Sequence, residues 1–305
     1  MPTSRFPDWE SFEFPAAAQN ADAAGTDAGT DVGAAAAGDG AAPVAEDAPV
    51  AFCADLSPAS VLGAYGRGII PLPVSDEYFR TLNEFRYEDQ VAAGTIALVG
   101  DEAADPYWVA WWSPDPRPVI DVGRVHLGRN TRKWLRRSEV RTTANARFGE
   151  VLQECRVGRE PRWLTETLVR TLLELHAEGW AHSIEVWLDG DLIGGAMGIG
   201  VGRVISGDSL FGRYPGAAGV AVADMAARLG EAGGVAIDAQ WDSPFLRGLG
   251  AEPVPRERYL ALLERSGSGS GSGSGSAGRI VLPGGLLEGR RLIAVNATGP
   301  ETGLQ

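Results

Sequence analysis

The chain has 305 residues, 44% of them hydrophobic, which is enough for a large core and predicts about two domains. No apolar run approaches the roughly 18 residues that span a membrane, and the N-terminus lacks the basic start and apolar core of a signal peptide. Cys53 and Cys155 lie far apart, and His126, His176 and His182 show no ligand-like spacing. These features predict a cytoplasmic protein with no metal site, no disulfide framework and no membrane partner.

The net charge of −13 is unevenly distributed along the chain. Residues 1–50 carry nine acidic side chains and one arginine, whereas residues 117–147 carry nine basic and two acidic ones. An acidic N-terminal segment therefore accompanies a strongly basic segment in the part expected to fold.

The first 49 residues divide into two predicted segments. Residues 1–15 form an N-terminal arm, in which Phe6, Trp9, Phe12 and Phe14 are available to dock. Residues 16–49 are an Ala/Gly/Asp tract with almost nothing large enough to bury, so disorder is predicted there.

Folding is predicted to begin near Val50, with a helix capped by Ser57. Strands follow over residues 107–112 and 119–122, then a short basic helix capped by Asn130, a strand over 140–144 and another helix. Trp111 and Trp112 are adjacent in a strand and so face opposite sides, which allows one to be core and the other to face a cleft.

The second half predicts a helix capped by Thr165, then three antiparallel strands between residues 181 and 211. Asp189-Gly190 is typical of a tight two-residue hairpin turn. A helix from Val220 to Ala232, a buried strand AIDAQ, a short helix and a final amphipathic helix complete an α/β (α+β) fold. Residues 266–278 read as a flexible Ser/Gly linker, and the tail at 279–305, of unassigned role, as a small hairpin or unstructured chain.

Four glycines interrupt the middle strand of the predicted three, at positions 194, 195, 198 and 200. Glycine weakens a strand unless backbone or ligand must approach closely. The pattern fits either a bulged sheet face lining a cleft or simply a kinked sheet.

The basic segment also has two interpretations. Charge runs are commonly just a solvated face, but Arg129, Arg132, Lys133 and Arg136 lie on neighbouring turns beside Trp134. Positive charge next to an aromatic ring suits a phosphate backbone with a stacked base, which favours a structured RNA as partner.

Two carboxylates, Asp208 and Asp238, each end a predicted buried strand. Such a group either caps a loop or helix or holds something polar in a site. Asp238 and Gln240, two apart in a strand, are predicted to point to the same face, which makes them the better site candidate. No Ser-His-Asp ordering, phosphate-binding loop or dinucleotide fingerprint is present.

Several motifs together resemble the leucyl/phenylalanyl-tRNA–protein transferase family, in the order and spacing of that family. They are ADLSPASVLGAYGRGIIPLP, WWSPDPR, the arginine-rich stretch from His126 to Arg137, AHSIEVW, LIGGAMG, GDSLF, IDAQ and LGAEPVPRERYLALL. SFEFP is similar to the opening segment of the family, so residues 16–47 look like an insertion.

The resemblance implies a GNAT-like C-terminal domain at 140–265 and a smaller N-terminal α+β domain at 50–139. It further implies transfer of a hydrophobic amino acid (Leu, Phe or Met) from aminoacyl-tRNA to the α-amino group of an acceptor protein, by aminolysis of an ester. A monomer that uses aminoacyl-tRNA as co-substrate, with no other cofactor and no DNA, is expected.

The resemblance also implies roles for individual residues. Asp238 would accept or orient the proton of the attacking amine, Gln240 would hold the ester or the amine, and Asp208 would lie near the aminoacyl end. The implied substrate-binding positions are Trp111 or Trp112 against the terminal adenosine, together with Glu185, Gly194, Gly195, Ala196, Ser209 and Leu210. The implied tRNA-binding residues are Arg129, Arg132, Lys133, Arg136 and Arg137.

The sequence departs from the family pattern near the implied site. Asp208 replaces a glutamate, Leu210 a methionine, Met197 a tyrosine and Phe245 a histidine, and Ala217-Ala218-Gly219 replaces Ala-Ser-Lys. Two alternatives therefore stay open: a specialised tRNA-dependent aminoacyltransferase with a peptide or small-molecule acceptor, and a non-catalytic tRNA-binding protein.

Overall fold

A computed structural model describes residues 9, 48–100, 103–158, 162–264 and 278–295. They form two compact units. The first contains Trp9 and residues 48–115 and 158–172 within the described ranges, and the second contains residues 116–157 and 173–295 within the same ranges. The predicted boundary between 139 and 140 therefore differs from the division after Asp115, because the strand and helix that follow Asp115 pack in the second unit.

The first unit holds a four-stranded sheet in the order β2-β4-β1-β3, with two helices before β3 and a 3-10 turn before β4. Its elements are β1 (Ala51–Phe52), α1 (Pro58–Gly66), β2 (Ile70–Pro73), α2 (Glu77–Ala92), β3 (Ala97–Leu98), the turn Pro106–Trp108 and β4 (Val109–Trp112). Ser57 caps α1 as predicted, since its side chain accepts a hydrogen bond from the Ser60 amide.

Trp9 is the described part of the predicted N-terminal arm, and its side chain is buried. Its indole Nε1 donates to Ser60 Oγ at 3.0 Å, and its ring lies 4.8 Å from that of Trp111. Phe6, Phe12 and Phe14, residues 16–47 of the Ala/Gly/Asp tract and residues 266–277 of the Ser/Gly linker lie outside the described residues.

The second unit is built on an eight-stranded mixed sheet in the order β11-β5-β10-β9-β8-β7-β6-β12. Its strands are β5 (Arg117–Asp121), β6 (Arg141–Ala144), β7 (Ala181–Leu188), β8 (Asp191–Val201), β9 (Val204–Gly212), β10 (Ala236–Asp238), β11 (Ala251–Val254) and β12 (Leu287–Glu288). Its helices are α3 (Arg129–Arg137), α4 (Phe148–Arg156), α6 (Ala217–Glu231), α7 (Pro244–Gly248), α8 (Arg256–Glu264) and α9 (Leu292–Val295). Helix α5 (Glu166–Ala177) spans the division between the two units.

The hairpin β7-β8 confirms the predicted turn. Asp189 and Gly190 both have positive φ, at 54° and 89°, as the tight two-residue turn requires. Strand β9 then pairs antiparallel with β8, and β10 joins parallel to β9 and antiparallel to β5. Asp238 is thereby placed at the end of a short strand with neighbours on both sides.

Helices cover both faces of this sheet. A Cβ on Gly194 would meet Ala217 of α6, whereas one on the next residue, Gly195, would meet Val151 of α4. Because successive strand residues point to opposite faces, α6 and α4 lie on opposite sides. Helix α8 also lies on the face opposite α6. Its Tyr259 packs with Val204 and Ala236, whereas the residue that follows each of these two along its strand belongs to the core around α6.

Two local predictions are wrong. Helix α3 begins after Gly128 rather than being capped by Asn130, and Gly128 makes no side-chain capping bond. The tail is also not a hairpin of its own: β12 pairs with β6, and a 3-10 turn (Gly289–Arg291) and α9 follow it. Leu282 and Leu292 of the tail are buried in the same core as α6.

Within the described ranges, no helix is both long and apolar enough to cross a membrane.

Candidate active site

The carboxylate of Asp238 lies at the centre of a buried polar cluster. Its strand β10 runs between β5 and β9, which places it beside Arg117 and Ser206. The side chains of Asp238 and Arg117 are both fully buried. An ionised carboxylate can occupy such a position only if partners replace the water that it loses.

Five hydrogen bonds supply that replacement. Asp238 Oδ1 accepts from Arg117 Nε at 2.9 Å and from the Gln240 amide at 2.8 Å. Asp238 Oδ2 accepts from Arg117 Nη2 at 2.8 Å, Ser206 Oγ at 2.9 Å and Tyr259 OH at 3.0 Å. A carboxylate offers about four lone-pair sites, so its accepting capacity is filled. Asp238 is therefore arranged to position its neighbours.

Tyr259 closes the cluster from α8. Burial and the Asp238 carboxylate raise the pKa of Tyr259 well above its usual value, so the phenol stays protonated and keeps donating. The Arg117 guanidinium lies 4.6 Å from the centre of the Tyr259 ring, which adds a cation–π contact to the ion pair.

Gln240 adopts an unusual backbone conformation beside this cluster. Its φ is +59°, in the left-handed region that non-glycine residues seldom occupy, and its amide is held by Asp238 Oδ1. Strand β10 ends at Asp238, so the expectation that both residues share one face of a strand is wrong. The turn brings them together instead.

The side chain of Gln240 is oriented by two partners on β9. Its Nε2 donates to Asp208 Oδ1 at 2.6 Å and to Ser206 Oγ at 3.0 Å. Because a carboxylate only accepts, the amide nitrogen must face Asp208, which fixes the orientation of the amide. The Oε1 atom of Gln240 is then the side-chain acceptor that these two bonds leave over.

Asp208 and Ser209 lie where the β8-β9 register shifts, after Met197. Both are buried, at 6% and 5% exposure. The Ser209 hydroxyl has no hydrogen-bond partner among the described residues. Since an unsatisfied buried hydroxyl is costly, it is a candidate contact for a bound group.

The glycines of β8 serve the packing of the protein itself. A Cβ at any of the four positions would meet a neighbouring atom at 2.1 to 2.7 Å, from α6, β9, or the tail. Ala196 and Leu210, directly opposite each other on β8 and β9, are buried in the core with α6. The geometry thus supports the alternative in which these positions shape the sheet.

Glu185 is engaged entirely by its own surroundings. Its carboxylate accepts from Thr143 Oγ1 at 2.5 Å, Ser183 Oγ at 2.6 Å and the amides of Ala146 and Arg147 at 3.3 and 3.2 Å. These bonds hold the turn that leads into α4. The substrate contact that the resemblance implies for Glu185 stays a prediction.

Comparison with known proteins identifies the family of the chain. A sequence profile described as leucyl/phenylalanyl-tRNA protein transferase matches residues 119–264. The chain is 34% identical to the leucyl/phenylalanyl-tRNA–protein transferase of Saccharophagus degradans, over 70% of this chain and 76% of the relative. It is 35% identical to that of Aromatoleum aromaticum and 34% identical to that of Klebsiella pneumoniae, over 70% and 77% of this chain and 79% and 89% of those relatives.

The chain belongs to the leucyl/phenylalanyl-tRNA–protein transferase family. Asp208, Asp238 and Gln240 all lie inside the matched range. The resemblance stated from the motifs is therefore confirmed.

Two family-implied positions lie in the first unit. Trp111 is fully buried, donates from Nε1 to the Cys53 carbonyl at 2.8 Å and packs against Trp9, so neither of its faces is open to a ligand. Trp112 is partly exposed and packs against the core around Phe52. Of the two adjacent tryptophans, Trp112 is the one with accessible surface.

The basic helix α3 presents charge outward. Leu135 faces the core, while Arg129, Lys133, Arg136 and Arg137 are exposed and Arg132 is partly buried. Trp134 stacks on Tyr214 at 4.8 Å between ring centres, so that ring is already used by the protein.

A separate cavity of about 940 Å³ lies at the start of α4, between Phe148, His176, Ile193 and Arg213. None of the residues predicted for the site lines it. Among the described residues, no group of three or more His, Cys, Asp and Glu side chains is placed to hold a metal ion.

Sequence reasoning missed three members of the cluster: Arg117, Ser206 and Tyr259. Ser206 could have been found, because it lies two residues before Asp208 and alternation along a strand puts both on one face. Arg117 and Tyr259 reach Asp238 across 121 and 21 positions, and the sequence carries no local signal of these pairings.

Proposed function

We propose that this protein transfers a hydrophobic amino acid, such as leucine, phenylalanine or methionine, from aminoacyl-tRNA to the α-amino group of an acceptor protein. Membership of the family and the fixed orientation of the Gln240 amide support this function. The enzyme acts as a monomeric, cytoplasmic, GNAT-like transferase whose co-substrate is aminoacyl-tRNA, with no other cofactor.

The reaction is aminolysis of an ester. The acceptor amine attacks the aminoacyl carbonyl carbon, a C–N bond forms, and the C–O bond to the terminal ribose breaks. The amine loses a proton and the departing ribose oxygen gains one, so the atoms balance. No enzyme nucleophile is required; orientation and hydrogen bonding lower the barrier.

The residues divide between contact and support. Gln240 Oε1 accepts a hydrogen bond from the attacking amine, and the Ser209 hydroxyl contacts an oxygen of the bound ester. Asp208 fixes the Gln240 side chain, and Asp238 fixes its backbone. Asp238 thus acts through Gln240 rather than as a base, since its oxygens are already occupied.

Helix α3 binds the tRNA. Its exposed arginines and lysine concentrate positive charge on one helix of a chain whose net charge is −13. A polyanion is therefore attracted to this helix and not to the protein as a whole. Contact with phosphates positions the tRNA without reading its sequence.

The test incubates the protein with leucyl-, phenylalanyl- and other charged tRNAs and with peptides of different N-termini, followed by mass spectrometry of the peptides. We expect a hydrophobic amino acid on a peptide N-terminus, lost in Gln240→Ala and kept in Asp242→Asn, an exposed carboxylate outside the cluster. A parallel reaction offers small-molecule amines as acceptors, and transfer to those amines alone would favour the specialised enzyme. Tight tRNA binding with no transfer to any acceptor would overturn the proposal.

A further inference from the structure

The C-terminal tail, residues 278–295, lies beyond the matched family range of 119–264 and yet is built into the second unit. It enters at the β8-β9 turn, where the Gly202 amide donates to the Gly278 carbonyl at 2.9 Å. Ile280 is buried in the core, and His182 Nε2 donates to its carbonyl at 3.0 Å. The first part of the tail is therefore anchored by both side-chain packing and backbone bonds.

Arg228 of α6 holds the next part. Its Nη1 donates to the carbonyls of Pro283 and Gly284 at 2.5 and 3.0 Å, and its Nη2 donates to that of Gly285 at 3.1 Å. The remaining donors reach the Thr142 carbonyl and Asp224. All five N–H groups of a fully buried guanidinium are thus satisfied, three of them by the tail.

The tail then reaches the back of the basic helix. Strand β12 pairs with β6, and the Gly289 amide donates to the Val140 carbonyl at 2.7 Å. A Cβ on Gly289 would stand 3.2 Å from Leu135 Cδ2 and 3.0 Å from the Val140 carbonyl oxygen. The turn Gly289–Arg291 is therefore seated directly against the buried side of α3.

The two consecutive arginines of this turn face different ways. Arg291 points inward to pair with Asp224, whereas Arg290 is 69% exposed. Glu288, the partner of Arg290, stands opposite the exposed Arg141 of β6 in the ladder. Exposed ion pairs contribute little to stability, so the outward Arg290 is not explained by folding.

We propose that the tail forms part of the tRNA-binding surface, with Arg290 and the neighbouring Arg141 extending the positive face of α3 toward the phosphate backbone. This inference rests on the proposed function. The combined surface carries seven cations and two carboxylates: Arg129, Arg132, Lys133, Arg136, Arg137, Arg141, Arg290, Glu139 and Glu288. The excess of positive charge suits a polyanion whose binding releases counterions.

The experiment measures binding of an unacylated tRNA to the full chain by fluorescence anisotropy over a range of salt concentrations. Arg290→Glu is compared with Arg258→Glu, an exposed arginine on α8, a helix that packs with β11, β5, β10 and β9 and not with β12. We expect Arg290→Glu to weaken binding about tenfold at low salt and to flatten the salt dependence. Arg258→Glu should change the affinity less than about twofold.

Glu288→Gln provides a test of opposite sign, because it removes a carboxylate from this surface instead of a cation. Removing this carboxylate should tighten tRNA binding about twofold to threefold at low salt. Unchanged affinity in both Arg290→Glu and Glu288→Gln, with binding weakened by changes in α3, would overturn the role of the tail and leave the proposed function intact. Failure of the unmodified protein to bind any tRNA would overturn both.

Discussion

The guanidinium of Arg117 holds the carboxylate of Asp238 through two hydrogen bonds, Nε to Oδ1 at 2.9 Å and Nη2 to Oδ2 at 2.8 Å. Both side chains are completely buried. A bidentate pair of this kind fixes direction as well as charge, because the planar fork matches the carboxylate. The position of Gln240 therefore depends on a residue that no substrate has to contact.

Replacement of Arg117 by methionine should destabilise the protein by about 3–5 kcal/mol, since it leaves the charge of Asp238 buried without its partner. Urea unfolding measures this. The double variant with Asp238→Asn should recover a large part of the loss, because no uncompensated charge remains. Arg247→Met, which breaks an exposed pair with Asp242, is the control and should cost less than about 1 kcal/mol. Equal losses in the two methionine variants would contradict this account.

Two substitutions at Gln240 distinguish the effect of its backbone strain on stability from the effect of its side chain on the transfer rate. Gln240→Gly relieves the left-handed conformation and should be about 1 kcal/mol more stable than Gln240→Ala. Both should lower the transfer rate about 100-fold, because each removes the amide. Thermal unfolding and single-turnover transfer are the measurements. A glycine variant with normal activity would show that the side chain is dispensable.

His182 makes the attachment of the tail sensitive to pH. Burial lowers the pKa of His182 from 6.5 to about 4. Its Nε2 donates to the Ile280 carbonyl and its Nδ1 accepts from Asn145 Nδ2 at 3.2 Å, so the neutral ring satisfies both contacts. Protonation of Nδ1 would place two donors face to face. His176 and Arg279 add positive charge nearby.

Between pH 6.5 and pH 4, His182 binds a proton in the unfolded chain but not in the folded protein. The stabilisation that the neutral ring contributes is therefore fully present above pH 6.5 and is lost as the pH falls toward 4. The lost contribution is about 3 kcal/mol. Urea unfolding at several pH values gives the free energy of unfolding as a function of pH. This dependence should be weaker in His182→Gln than in the unmodified protein. The exposed His126→Gln serves as control and should follow the unmodified protein. Identical slopes in all three would count against the assignment.

The charge of α3 predicts salt-dependent binding. Arg132→Ala with Arg136→Ala should weaken tRNA binding and reduce the slope of log affinity against log salt by about 1–2. A matched pair, Arg170→Ala with Arg258→Ala on α5 and α8, should leave that slope unchanged. If the α3 variant binds with the same affinity and slope as the unmodified protein, the helix is only a solvated face.

Sequence reasoning succeeded where the determining chemistry is local. Asp189-Gly190 adopts its turn because those two residues tolerate positive φ, and Ser57 caps its helix because the acceptor is three residues from the donor. The cap predicted for α3 was wrong for a related reason. Glycine is also a common N-cap residue, so the helix begins after Gly128 and Asn130 lies in its first turn.

Long-range pairings could not be read in this way. Gln240 was predicted at the right place but in a strand, because its amide bond to Asp238 closes a turn that residue alternation does not reveal. The sequence assigned no role to the tail, because its few apolar residues and glycines do not predict a helix or strand. Its backbone carbonyls are held by hydrogen bonds that Arg228 donates from α6, and the sequence gives no sign of them. Family resemblance singled out Asp208, Asp238 and Gln240 as candidates, whereas the buried cluster around them is visible only in the fold.

The pairing of β12 with β6 also covers a sheet edge to which a second copy of the protein could otherwise bind. Strand β6 would otherwise end the sheet with unpaired backbone groups at Arg141 and Thr142, a ready template for another chain. Shortened versions that stop at Glu264 should therefore associate edge to edge and precipitate, whereas versions that retain residues 278–295 should stay dispersed. The segment that completes the sheet is also the one that keeps it from growing further.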